Sequence, residues 1–66
     1  MAQGLNEKAE PIIRNALTVM RRALPEGHAD IVLSLDALVN VYKAMGREAE
    51  ELAVRGELFE LAGSVG

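Results

Sequence analysis

The chain has no cysteine and no tryptophan, and its 66 residues include one histidine, one tyrosine and one phenylalanine. Without cysteine there is neither a disulfide framework nor a thiolate zinc site to compensate for a small core. The single histidine, His28, follows Gly27 and reads as a turn or N-cap residue; acting as a general base would require an orienting partner and a pocket. Two aromatic residues and a formal net charge of −3 disfavour a stacking platform or a basic groove for nucleic acid. The longest apolar runs, such as Ile31-Val32-Leu33, fall far short of the ~20 residues of a membrane span. The segment Met1–Asn6 lacks the basic-then-apolar order of a signal peptide. A cytoplasmic chain with no membrane partner is the expectation.

What is present is apolar. Half of the residues are hydrophobic and the mean hydropathy is +0.12. A chain this short makes one domain, 1–66, and buries only about 60% of its unfolded surface. So apolar a small chain is expected to need a partner surface.

Two breaks organise the sequence. Pro25-Glu26-Gly27-His28 places a proline and a glycine between apolar segments, and Gly46 follows Met45 where a helix-terminating glycine belongs. Three helices are predicted, at 6–24, 29–45 and 47–62, with no period-two stretch to mark a strand. The first carries Ala9, Ile12, Ile13, Ala16, Met20, Ala23 and Leu24 as one stripe, with Asn6 as its N-cap. Pro11 lies four residues inside, so that either the helix begins at Glu10 with Pro11 in its first turn or, the expectation adopted, the longer helix kinks there. In the second helix only Ser34, Asp36, Asn40 and Lys43 are polar between Ile31 and Met45, so it must be covered on most sides. The third has two apolar faces. Ala49, Leu52, Ala53, Gly56 and Phe59 form one, where Gly56 would permit close helix approach; Val54, Leu58, Leu61 and Val65 form the other, left without cover in the chain. Tyr42 and Phe59 read as core residues, and Met20 and Met45 as gap-fillers.

Gly4–Glu10 echoes Gly46–Leu52 at an offset of 42 residues, each a glycine opening a charged helix, a period compatible with a helical solenoid. Gly27-His28-Ala29-Asp30-Ile31 followed by Ser34-Leu35-Asp36-Ala37-Leu38, with Leu35, Leu38, Val39 and Tyr42 at signature spacing, resembles the first helix of a tetratricopeptide repeat, in the long-period variety of kinesin light chains. Met45-Gly46-Arg47 looks like that family's inter-helix turn, and Ala9-Glu10-Pro11-Ile12-Ile13 with Ala16-Leu17 is similar to the second helix of a preceding repeat. The pattern weakens beyond residue 50, where Glu51 and Arg55 stand at positions of small and aromatic residues.

The resemblance implies an all-α fold: a three-helix αα-hairpin unit, about one and a half repeats, completed by self-association as a dimer or higher homo-oligomer. It also implies that Leu33, Asp36, Asn40 and Lys43 face a groove that receives a protein or peptide partner. Self-association would use Val54, Leu58, Leu61 and Val65. Residues 1–25 are net basic and residues 26–66 net acidic, which favours one chain's start packing near another's end. The expected function is a non-enzymatic protein–protein interaction module, an adaptor or assembly unit without cofactor or metal. The alternatives are a purely structural helical homo-oligomer and a small DNA-linked regulator using Arg14, Arg21 and Arg22, a basic patch otherwise read as pairing with acidic helix 3. Glu48, Glu50 and Glu51 read as a solvated helix start, not as metal ligands.

Overall fold

The computed structural model describes the backbone of residues 2–65 and the side chains of residues 4–61 and 63. It contains three helices, α1 (Ala2–Ala23), α2 (Ala29–Met45) and α3 (Glu48–Val65), and no strand among the described residues.

The bounds of α2 are those predicted, because both ends are set by local chemistry. His28 sits at φ −57°, ψ 143°, and its Nδ1 accepts the Asp30 amide at 3.1 Å, capping one of the orphan donors of the first turn. Asp30 adds negative charge where the helix dipole favours it. At the other end Gly46 adopts φ 74°; its amide donates to the Lys43 carbonyl at 3.2 Å and the Arg47 amide to the Tyr42 carbonyl at 2.9 Å. This pair of bonds is a Schellman motif, and the left-handed backbone it needs is open to glycine at little strain. The preceding turn is closed by the His28 amide on the Pro25 carbonyl at 3.1 Å, with Gly27 at φ 84°.

The outer helices are longer than the sequence implies. Helix α1 begins at Ala2, so Asn6 lies inside it and is not its cap. It runs on through Pro11, whose missing amide leaves the Glu7 carbonyl without its helical donor. Both residues are exposed, so water can serve that carbonyl. Helix α3 continues through Gly63 to Val65, beyond its predicted end at residue 62.

Helices α1 and α3 each pack along α2 and make no close backbone approach to each other. The molecule is accordingly flat, with extents of 37 × 21 × 14 Å. Its core is Leu17 of α1, Ile31, Leu35, Leu38 and Tyr42 of α2, and Leu61 of α3, with Ile13, Met20, Leu24, Val32, Val54 and Leu58 packed around them. Leu35 is the most deeply buried, at 1% exposure. Two flanking helices thus cover most of α2, including Val39 and Val41, contrary to the expectation that neighbours from one chain would not suffice.

Two readings of α3 are corrected. Val54, Leu58 and Leu61 are its inward face, at i, i+4, i+7 spacing: Leu61 is buried in the core and Val54 and Leu58, half-buried, pack against it, so the face expected to lack cover finds some within the chain. Val65 lies outside the residues whose side chains are described. The face of Ala49, Leu52, Ala53, Gly56 and Phe59 points outward instead: Phe59 is 78% exposed, and a Cβ placed on Gly56 would meet nothing within 4 Å. Gly56 therefore serves no close approach within the chain, and Phe59 is not a core residue.

Candidate functional site

The polar chemistry of the molecule is concentrated where α1 crosses α2. Glu10, one turn before Arg14 on α1, is buried, and its carboxylate accepts from the Tyr42 hydroxyl at 2.6 Å and from the Arg14 guanidinium at 3.2 Å. The Tyr42 hydroxyl, and after it Arg14, hold the Glu10 carboxyl below the usual carboxylate range against the opposing effect of burial. Burial, reinforced by the Glu10 carboxylate, pushes the Tyr42 phenol up to about 12. The Tyr42–Glu10 bond ties α1 to α2, and Arg14 braces the Glu10 carboxylate from one turn along α1. The sequence reading missed Glu10. The available signal was that Glu10 lies on the inward arc with Ile13 and Leu17, where a carboxylate survives only if paired. The Ser34 hydroxyl adds a weaker tie across the same helix pair, donating to the Met20 thioether at 3.5 Å.

Two shallow clefts, each about 260 Å³, lie between α1 and α3 with α2 as their floor. Arg21 and Glu57 border both, and the Arg21 guanidinium donates to the Glu57 carboxylate across the gap. This ion pair is the pairing of α1 arginine with acidic α3 that the sequence implied, formed here within one chain. Arg14 is held instead by Glu10 of its own helix, leaving Arg22 as the arginine of the patch with no part in these two pairs. Arg47, just before α3, and Arg55 within it pair with Glu50 and Glu51 at 3.3 and 2.7 Å, so the acidic start of α3 is partly neutralised. Among the described residues no three His, Asp or Glu side chains converge as metal ligands would, and no helix is long and apolar enough to cross a membrane.

Leu33, Asp36, Asn40 and Lys43 are all exposed along one stripe of α2, with Leu33 at 67%. They line neither cleft, because they project from the side of α2 away from α1 and α3. As a set they offer a narrow outer ridge with one apolar residue.

The larger uncovered apolar surface is on the outer helices. On α1, Leu5, Ile12 and Val19 are 70%, 66% and 65% exposed and recur every seventh residue. Ala9, Ala16 and Ala23 alternate with them, completing a 4–3 spacing along the helix. On α3, Leu52 and Phe59 are 60% and 78% exposed, again seven apart, with Ala49, Gly56 and Gly63 as the small residues between and beyond them. The sequence reading assigned Ile12 to the inward stripe of α1 and so overlooked this second seam.

Comparison of the chain with family models, with curated proteins and with solved structures gives no match.

Proposed function

We propose that this chain is a non-enzymatic protein–protein interaction module that engages a partner chain through the outward apolar faces of α1 and α3. One observation carries the reading: five large apolar side chains, Leu5, Ile12, Val19, Leu52 and Phe59, stand 60% or more exposed in two ordered rows. Contiguous exposed apolar rows on a small protein mark interaction surfaces, whereas scattered single residues do not. The resemblance of residues 4–50 to a tetratricopeptide unit supports the same conclusion, since helical repeats of that kind stack their open faces on neighbours. In this reading the outer ridge of Leu33, Asp36, Asn40 and Lys43 is a secondary contact, and Glu10, Arg14 and Tyr42 are structural.

A photo-crosslinking residue placed at position 12, and separately at position 59, tests this in the cell that makes the protein. The expected result is a discrete adduct at both positions and none at Glu26, which is exposed in the α1–α2 turn. Absence of any adduct from positions 12 and 59 overturns the reading.

A further inference from the structure

The two rows, exposed at their large residues and half-buried at Ala9 and Ala16, fit each other. Resting on the interaction reading above, we infer that the partner is a second copy of this chain, whose α3 outer face docks antiparallel on the α1 outer face of the first. Both rows follow heptad spacing with the same division of labour: small residues at one core position, Ala9, Ala16 and Ala23 or Ala49, Gly56 and Gly63, and large ones at the other, Leu5, Ile12 and Val19 or Leu52 and Phe59. From Leu5 to Val19 and from Ala49 to Gly63 the rows also match in length, each roughly 21 Å at 1.5 Å per residue.

In an antiparallel pair each small position faces a large one. One register then aligns Leu5 with the partner's Gly63, Ala9 with the partner's Phe59, and Ile12 with the partner's Gly56. It continues with Ala16 on the partner's Leu52 and Val19 on the partner's Ala49. Every layer combines one large and one small side chain, the arrangement that fills space evenly. A parallel pair would set small against small and large against large, alternating gaps with clashes. This also gives Gly56 a role that its surroundings within the chain do not: with nothing within 4 Å of its missing Cβ, it is a hole for an incoming isoleucine.

Charge selects α3 over a second α1 as the occupant. Helix α1 has Lys8, Arg14, Arg21 and Arg22 against Glu7 and Glu10, whereas α3 has Glu48, Glu50, Glu51, Glu57 and Glu60 against Arg55. The row on α1 is flanked by Lys8, Asn15 and Arg22, and an antiparallel α1–α1 pair centred on Asn15 would set Lys8 opposite the partner's Arg22. In the register above Arg22 instead meets the partner's Glu48. Like charges facing across an interface suppress that pairing, and opposite ones steer the correct one. Because the two docked surfaces differ, each pairing leaves one α1 row and one α3 row unused. These rows either meet each other, closing a two-fold pair, or recruit further copies.

Sedimentation of the full chain from micromolar to millimolar concentration, with two variants, tests the inference. Ile12→Glu spoils the α1 row and Phe59→Glu the α3 row; both residues are exposed, so far-UV circular dichroism should remain that of the parent. The expected result is an associating parent and at least tenfold weaker association for each variant alone. Mixing the two variants should then give a 1:1 complex that grows no further, since one supplies an intact α1 row and the other an intact α3 row. A parent that stays monomeric at millimolar concentration overturns the inference, as does a variant that self-associates like the parent or a mixture that stays monomeric. If the photo-crosslinked adduct has the mass of another protein and the parent is monomeric, the interaction reading stands and the self-docking inference fails.

Discussion

Replacing Tyr42 by phenylalanine should cost this small fold a large share of its stability without changing its shape. The Tyr42 hydroxyl is a buried donor to a buried carboxylate at 2.6 Å, a charge-assisted hydrogen bond. Bonds of that kind contribute about 1.5–3 kcal/mol net. Tyr42→Phe removes the donor and leaves the Glu10 carboxylate to Arg14 alone, so a loss of about 2 kcal/mol is expected. At 0.05–0.15 kcal/mol per residue the whole chain has on the order of 3–10 kcal/mol. For a domain of this size each kcal/mol moves Tm by roughly 4–8 °C, so Tm should fall by roughly 8–16 °C. Glu10→Leu should cost a similar amount by stranding the hydroxyl. The double variant should cost clearly less than the two singles together, because an apolar pair leaves nothing unsatisfied. Urea unfolding followed by circular dichroism, at one fixed protein concentration so that assembly contributes equally, measures all four corners of the cycle. Additive single effects, or single effects below about 0.5 kcal/mol, would refute the view that this pair ties α1 to α2.

The same pair sets two limits on pH. Glu10 titrates below its ordinary value in the fold, so its contribution is present above the unfolded value of about 4.3 and is lost as pH falls through the folded one; Tyr42→Phe should flatten the acid limb of a stability–pH curve. Tyr42 titrates above its ordinary value, near 12 against 10.0, so its contribution is complete below pH 10. It is lost between there and about 12, a loss that the phenylalanine variant should not show, as alkaline unfolding titrations would record. Gly56→Ala should stabilise the isolated fold by about 1 kcal/mol, since the site is an open helix interior, whereas Gly46→Ala should destabilise it by about 1 kcal/mol through its positive φ; thermal melts of both separate the two roles of glycine. Leu58→Asp should unfold the chain at all concentrations, because Leu58 packs on the core, and a variant that merely dissociates a folded oligomer would show the inward face of α3 to be misassigned.

The parts of the fold legible in the sequence are those fixed by short-range chemistry. His28 and Gly46 bound α2 to the residue because a cap and a left-handed glycine act on backbone groups within one turn. The ends of α1 and α3 were misplaced because neither carries such a signal: the first turn of α1 holds no acidic residue, and the last turn of α3 holds no basic one. Glu10 was missed for a different reason. A glutamate beside Pro11 in a charged segment reads as solvated, and only the approach of Tyr42, 32 residues away, makes it a buried partner.

The face of α3 was ambiguous in principle. Apolar residues are spread around that helix, so periodicity alone offers two candidate contacts, small-and-aromatic or branched-aliphatic. The glycine and alanines of one face suggest close helix approach, and the branched aliphatics of the other suggest an uncovered surface. The structure resolves the choice by burial: Leu61 belongs to the core and Val54 and Leu58 pack against it, whereas Leu52 and Phe59 are exposed. That leaves Ala49, Gly56 and Gly63, with Leu52 and Phe59, shaped for a neighbour that the chain's own α1 cannot be, because α1 lies along α2 and makes no close backbone approach to α3. The α1 of another copy has the complementary alternation and the opposite charge, so the feature that defeated the sequence reading is the one on which the self-docking inference rests.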